Sequence, residues 1–356
     1  MAEIIIGTGA AVPDYVLDND GVAEMVETDD AWIRERTGIL QRHIAKEETA
    51  DSLAEEAACR AMADAGIAPE RIDLIVVATT TARVRMPCVA CRVQEKIGAK
   101  QAVCFDLNAA CTGFVLAYQT ATAYLKAGIY RTALVIGSDC MSQVIDWGDR
   151  STCILFGDGA GAAVLQRHPG LDYLPVAGAD GGKGEVLSCQ ALYERQSFCK
   201  ESGKSGFLHM DGQAVFKFAV RKVPEAILEV LELNGLTIED IDWFVVHQAN
   251  RRIIESVARH LGVSLERFPV NLQEYGNTSA ASIPILLDEM KHSGQLKKGQ
   301  RLVIAGFGAG LTWGASILDY EQVARRTANV RFVKGGEKIK MESYRSCKYN
   351  LEIQRD

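Results

Sequence analysis

Cys111 follows Asp106-Leu107-Asn108-Ala109-Ala110 and precedes Thr112-Gly113-Phe114, where a short strand runs into a long helix rich in small residues. A thiol in the first turn of a helix faces the positive end of the helix dipole and unpaired backbone N–H groups. That setting favours thiolate and draws a cysteine from about 8.5 toward neutrality or below. Cys111 is therefore a candidate nucleophile, activated chiefly by the helix start. His247 stands at the exit of the apolar run Trp243–Val246, alone among the six histidines in such a place. Asn277, in Tyr275-Gly276-Asn277-Thr278-Ser279-Ala280, occupies a turn or helix N-cap. Each residue alone has an ordinary structural explanation, since free cysteine is commonly buried and asparagine is a favoured cap. Together they fit one job. A thiolate takes an acyl group from a thioester, and two neutral donors stabilise the enolate oxygen formed when a second thioester loses carbon dioxide.

The elements that must position these groups are short β-branched runs alternating with helical patterns: Ile4–Ile6, Leu74–Val77, Ala133–Ile136, Phe244–Val246 and Leu302–Ala305. Buried strands between helices indicate an α/β layered protein. The two halves resemble each other. Ile72–Val77 matches Ile241–Val246, the helix ending at Gly128 matches the one ending at Gly294, and Leu134–Ile136 matches Leu302–Ile304, with offsets of 166 to 169. Near-constant offsets over three segments indicate an internal duplication. At an offset of 166, Cys111 corresponds to Asn277. All three polar residues then fall at carboxyl ends of strands or the helix starts that follow, where open α/β sheets gather ligands.

Composition narrows the class. The chain has 356 residues, 48% hydrophobic and 24% charged, which permits a deep core in two domains or one duplicated unit. No charged leader precedes an apolar segment, and no apolar run reaches the length of a membrane span. Ten scattered cysteines without a secretory context predict free thiols in a reducing cytoplasm. The single CxxC pair, Cys88 and Cys91, has no further ligands nearby, so no metal is expected. Net charge is −7, and the tail from Gln322 holds nine Lys/Arg against four Asp/Glu, leaving 30 against 42 in residues 1–321. So acidic a body argues against a nucleic-acid partner.

The segments Asn108–Phe114, Val246–Asn250, Tyr275–Ser282, Phe156-Gly157-Asp158-Gly159-Ala160-Gly161-Ala162 and Phe307–Gly314 jointly resemble β-ketoacyl-acyl carrier protein synthase III, from about Ile5 to Tyr320. The glycine-rich Gly157–Gly161 alone is weak and could be misread as a phosphate loop. The resemblance implies a thiolase-like fold of two pseudo-duplicated layered α-β-α-β-α halves, with residues 1–170 carrying the cysteine and 171–321 carrying His and Asn. It implies acyl transfer from coenzyme A, most simply acetyl, to Cys111, with the N–H groups of Cys111 and Ala309 as oxyanion hole. Malonyl-acyl carrier protein then decarboxylates beside His247 and Asn277, and its carbanion attacks the acyl-cysteine. Ala309 stands where some relatives have glycine; its N–H survives unless φ there must be positive.

The same resemblance assigns Thr28, Trp32, Arg36, Thr37 and Arg150 to coenzyme A, with an indole and a guanidinium sandwiching adenine. Gly212 and Asn250 line the pantetheine path, and Phe156 the acyl pocket. Met86 occupies the place of an aromatic residue donated by the partner subunit of a homodimer. Arg252, with Lys217, Arg251 and Arg259, would dock the acidic carrier protein. The thioesters are substrates, and no cofactor is implied. Residues 322–356 have no place in the family pattern and read as a basic, loosely packed appendage. Two rivals remain: a polyketide- or quinolone-type synthase using malonyl-CoA, and a non-catalytic subunit that binds coenzyme A or carrier protein. A thiolase would need a second catalytic cysteine, which the Phe307–Gly314 loop lacks.

Overall fold

The computed structural model describes residues 2–168, 172–190, 206–320, 330–334, 337–338 and 350–353. The first half runs β1 (Ala2–Ala11), β2 (Val16–Asp18), α1 (Asn19–Ala23), α2 (Asp30–Thr37), β3 (Gln41–His43), α3 (Ala50–Ala65), β4 (Leu74–Ala78), α4 (Val89–Ile97) and β5 (Val103–Leu107). It continues through α5 (Gly113–Lys126), β6 (Thr132–Cys140), α6 (Arg150–Cys153) and β7 (Asp158–His168). Then come β8 (Val176–Ala179), β9 (Leu187–Cys189), β10 (Leu208–Met210), α7 (Gly212–Leu233), β11 (Trp243–Val246) and α8 (Arg251–Leu261). The body closes with α9 (Leu272–Tyr275), α10 (Ser282–His292), β12 (Gln300–Gly308) and β13 (Thr312–Tyr320).

Two mixed sheets carry the molecule, ordered β1-β7-β6-β4-β5 and β11-β12-β13-β8. In the first, β4 runs parallel to both β5 and β6, while β7 runs antiparallel to β6 and β1. In the second, β11 is parallel to β12, and β13 is antiparallel to β12 and β8. The strand alternation of side chains dictates the stacking. Leu74, Val76 and Ala78 join Val245, Leu302 and Ile304 around α5 and α10, which lie between the sheets. Their neighbours face outward: Ile75 and Val77 meet α3 and α4, while Phe244, Val246, Val303 and Ala305 meet α7 and α8. These five layers are the mixed α/β, thiolase-like architecture expected from the sequence.

Local signals set the helix ends. Thr49 caps α3 in a reciprocal box with Ser52, and Gly66 closes it at φ 63°. Asn250 caps α8 by accepting from the Arg252 N–H, and Gly262 ends it. No helix among the described residues is long and apolar enough to cross a membrane. Seven described cysteines are free, including Cys111, whereas Cys59 is disulfide-bonded, a departure from the free thiols expected. In the tail, β14 (Val330–Lys334), β15 (Glu337–Lys338) and β16 (Asn350–Ile353) pair antiparallel. The charge-based reading of the tail overlooked the strand-forming Val330-Arg331-Phe332-Val333, and the rest of that reading lies outside the described residues.

Candidate active site

Two sharp turns meet where the sheets' strand ends converge. One, Ala110–Thr112, is a 3₁₀ turn leading into α5; the other, Ser279–Ala281, is a 3₁₀ turn leading into α10. Ala110 and Ser279 both take left-handed backbone, at φ 47° and 51°, a conformation that costs a non-glycine residue roughly 1–3 kcal/mol. The shared geometry sets the offset between halves at 169 here, so Cys111 is equivalent to Ala280 and Asn277 to Asn108. The expected equivalence of Cys111 with Asn277 is thereby corrected. The cause is helix length: α5 has 14 residues and α10 has 11, so an offset read at the helix ends is three residues short at their starts.

The Cys111 turn is held by close backbone packing. A Cβ on Gly308 would lie 2.9 Å from both the Cys111 and Thr112 nitrogens, so only glycine lets the end of β12 reach this turn. Ala309, the next residue, faces the same cavity as Cys111, and its φ is not positive. The thiol itself reverses the sequence expectation. Cys111 is buried, and burial pushes its thiol up to about 12, with a hydrogen bond to Ser279 acting in the opposite direction. Helix α5 begins only at Gly113, two residues beyond the sulfur. Desolvation of the thiolate outweighs the helix start, a balance that sequence alone does not reveal.

His247 leaves β11 into the same cavity. Its Nδ1 lies 2.7 Å from Ser282 Oγ, which also accepts from the Gln248 N–H at 3.4 Å. With Ser282 as donor in this pair, the proton of the neutral ring sits on Nε2; with Ser282 as acceptor it sits on Nδ1. Nε2 is buried without a protein partner. Burial lowers the His247 pKa to about 3, so the ring is a neutral donor. Phe307 meets it edge-on, with centroids 5.5 Å apart. Asn277 is clamped by its backbone: its N–H donates to Leu155 O at 2.8 Å, and its carbonyl accepts from Gly157 N–H at 3.1 Å. The Ser279 N–H donates to Asn277 Oδ1 at 2.9 Å, which leaves the amide Nδ2 as donor. Gly157 belongs to this clamp rather than to a phosphate loop, since a Cβ there would sit 2.2 Å from Tyr275 O.

One cavity of about 1130 Å³ is lined by Cys111, His247, Asn277 and Ala309. From the same sequence expectations it also gathers Trp32, Arg36, Thr37, Phe156, Gly212, Lys217, Asn250 and Arg252. Thr28, Met86, Arg150, Arg251 and Arg259 are not part of that lining. Arg150 nonetheless stacks on Trp32, its guanidinium carbon 4.8 Å from the indole centroid, and Arg36 lies at 5.5 Å. No ring fits between Trp32 and Arg150 at that spacing, so a purine sandwich requires the arginine to swing away. The Thr37 hydroxyl is occupied, donating to Ile33 O and accepting from the Ile39 N–H. Asn250 spends its side chain capping α8 and donating to Arg36 O. Arg252 lies over Phe216, and Arg251 pairs with Glu255 at 3.0 Å.

Sequence reasoning did not assign Ser279, Ser282, Phe307 or Asp139. The first three lie inside quoted motifs, and Asp139 stands near the carboxyl end of β6, the kind of position that flagged His247.

Comparison with known proteins agrees with this geometry. Residues 105–181 match the family model 3-oxoacyl-[acyl-carrier-protein] synthase III, and residues 231–320 match the model of its C-terminal part. The chain is 49% identical over 318 residues to the β-ketoacyl-[acyl-carrier-protein] synthase III of Clostridium acetobutylicum, covering 89% of this chain and 98% of that one. Among solved structures, the 3-oxoacyl-[acyl-carrier-protein] synthase III of Aquifex aeolicus matches with TM-score 0.83 and 43% identity, over 89% of this chain and 100% of that one. The priming β-ketosynthase of the R1128 polyketide pathway matches with TM-score 0.85 and 37% identity, over 90% and 97%. With the buried thiol, neutral imidazole and clamped amide in one cavity of a thiolase-like fold, the chain belongs to the 3-oxoacyl-[acyl-carrier-protein] synthase III family, acyltransferases that perform the initiating condensation of fatty acid synthesis.

Proposed function

We propose that Cys111 carries the acyl group through both half-reactions, while His247 and Asn277 act on the malonyl thioester. The observation that carries this reading is the cavity shared by the Cys111 thiol, the unpartnered His247 Nε2 and Asn277. In the first half-reaction the sulfur attacks the acetyl-CoA carbonyl, and the Cys111 and Ala309 N–H groups stabilise the oxyanion. In the second, malonyl-acyl carrier protein loses carbon dioxide, and His247 Nε2–H and Asn277 Nδ2 donate to the enolate oxygen. Neutral donors suit that task, because a cation would hold the malonyl carboxylate as well as the enolate and so stabilise ground and transition states together. The carbanion then attacks the acyl-cysteine, and the 3-oxoacyl thioester leaves on the carrier.

Trp32, Arg36 and Arg150, with Thr28 and Thr37 beside them, form the entrance proposed for coenzyme A. Lys217, Arg251, Arg252 and Arg259, all exposed, form the positive rim proposed for acyl carrier protein. Met86, 86% exposed, is proposed to complete the acyl pocket of a partner subunit in a homodimer. Incubation with acetyl-CoA alone should add one acetyl group, mapped to Cys111 by peptide mass spectrometry. An adduct elsewhere, or none, overturns the assignment. Unaltered turnover by Cys111→Ala would instead favour a non-catalytic binding subunit. Similarity to a polyketide priming synthase keeps a second reading in view. Competition among acetyl-, isobutyryl- and octanoyl-CoA, with malonyl-acyl carrier protein against malonyl-CoA, separates the two.

A further inference from the structure

Arg42, on β3, is wholly buried and has no part in the two half-reactions described above. Water solvates a guanidinium strongly, so enclosing one is costly unless its donors find partners. Burial draws its pKa down to about 10, and the group stays a cation at neutral pH. Its hydrogen-bond partners among the described residues are all neutral oxygens. Nη1 donates to Leu17 O at 3.3 Å and to Asn19 Oδ1 at 2.9 Å, and Nη2 donates to Ile154 O at 2.7 Å. A hydrocarbon side chain could fill the same space without burying a charge. Only a rigid guanidinium fork bonds three separate chain segments at once.

One of those segments clamps Asn277. Ile154 is followed by Leu155, whose carbonyl accepts the Asn277 N–H at 2.8 Å, and then by Gly157, whose N–H donates to Asn277 O at 3.1 Å. Phe156, between them, forms a bridge with Asn277. The stem of Arg42 supports the same clamp. A Cβ placed on Gly157 would lie 3.1 Å from Arg42 Cβ, and one on Gly276 would lie 3.4 Å from it, so both sides of the clamp rest on one side chain. Through Asn19 the network reaches further: Asn19 Nδ2 donates to Ile39 O and to Asp30 Oδ1, each at 2.9 Å. Asp30 opens α2, the helix that carries Trp32 and Arg36. None of these bonds involves the turn at Cys111.

We propose that Arg42 is a positioning residue for the decarboxylation half-reaction, holding residues 154–157 so that Asn277 presents its amide to the malonyl thioester. The proposal rests on Asn277 acting on that thioester. Ile154, Leu155, Phe156 and Asn277 line the cavity and Arg42 does not, so it acts through them. Loss of the bond from Nη2 to Ile154 O frees the segment to shift and carries Asn277 with it. A misplacement of about 1 Å costs roughly 10²-fold in rate. Cys111 stands on a separate turn, packed against Gly308, and keeps its geometry.

The test compares the wild type with Arg42→Lys, Arg42→Met and Asn277→Ala. Lysine keeps the charge, but one ammonium replaces the two nitrogens that reach Asn19 and Ile154. Single-turnover acylation is read by intact mass at saturating acetyl-CoA, because the network also touches α2. Decarboxylation is read as carbon dioxide released from labelled malonyl-acyl carrier protein. Both Arg42 variants should release carbon dioxide about tenfold more slowly and acylate within a few-fold of the wild type. Amide hydrogen exchange reads the clamp without turnover. In Arg42→Lys the Asn277 and Gly157 N–H groups should exchange about tenfold faster, while the Thr112 N–H, bonded to Ala109 O, keeps its wild-type rate. Should Arg42→Met not fold, Arg42→Lys alone decides. Wild-type decarboxylation in Arg42→Lys overturns the positioning role. Equal losses in both half-reactions, with exchange accelerated at Thr112 as well, overturn it in favour of general support of the fold. Wild-type decarboxylation by Asn277→Ala overturns the underlying reading instead, and the exchange contrast still decides whether Arg42 holds the clamp.

Discussion

At the scale of single residues, burial sets the protonation of the candidate site, raising the Cys111 thiol and lowering the His247 imidazole. His247 is kept neutral by burial, with its pKa lowered to about 3, and Ser282 holds its Nδ1 at 2.7 Å. His247→Ala should therefore cut malonyl decarboxylation by about 10²–10³-fold while leaving Cys111 acylation within a few-fold. Comparable loss in both assays, followed with labelled malonyl thioester and intact mass, would mean that the roles are wrongly divided. A pH consequence follows from the same burial. Because the folded pKa lies below the unfolded 6.5, the unfolded chain binds the extra proton between about 3 and 6.5. The His247 contribution to stability is thus full above 6.5 and is lost as pH falls toward 3. His247→Gln should flatten that part of the curve of unfolding free energy against pH, as measured by urea denaturation.

At the scale of elements, strand ends and helix starts do the positioning. Gly308 brings β12 against the Cys111 turn, and Gly157 brings the start of β7 against the Asn277 loop. In Gly157→Ala the new carbon would meet Tyr275 O at 2.2 Å, backbone against backbone. The expected result is about 1–3 kcal/mol of destabilisation, seen as a lower melting temperature. Decarboxylation should suffer more than acylation, since the clamp holds Asn277 and not Cys111. Equal losses would place the strain elsewhere. The offset of 169 at the turns adds a division of labour between equivalent positions: β6 ends near Asp139 where β12 ends at Gly308. One strand end supplies a carboxylate beneath the α10 turn, and the other supplies only room beneath the α5 turn.

At the scale of the whole molecule, charge and chain length make separate predictions. The acidic body carries exposed arginines Arg251, Arg252 and Arg259 on α8, of which Arg252 lines the cavity. Arg252→Glu should raise the KM for malonyl-acyl carrier protein about tenfold at low salt, with the difference shrinking as salt increases. Acylation by acetyl-CoA should be unchanged, and steady-state assays over a salt series check both. The Clostridium acetobutylicum relative matches 318 residues here with 98% of its own length, and the C-terminal family model ends at residue 320. Buried Tyr320 closes β13. Ending the chain after Glu321 should therefore keep acylation and condensation within about twofold, judged against a single binding and packing unit that is already complete. A larger loss would assign residues 322–356 a part in the reaction.

The sequence by itself determined the layered α/β class, because alternating and continuous apolar runs record which strand faces meet helices. It also singled out Cys111, His247 and Asn277, since those residue types fell at strand exits and within family motifs, and the fold brings all three to one cavity. Tertiary structure alone decided how they work. Burial is a property of what folds over a side chain, so the helix start that promised a low thiol pKa gave no measure of the desolvation that raises it. The register between halves was hidden by the three-residue difference between α5 and α10. Trp32 and Arg150 were expected on opposite faces of one ligand, and packing shows that they stack on each other. Asp139 and Ala280 are 141 residues apart in the chain and share a hydrogen bond only because β6 ends beneath the turn that opens α10. Contacts of that kind leave no periodicity or spacing in a sequence, since they depend on how two finished layers meet.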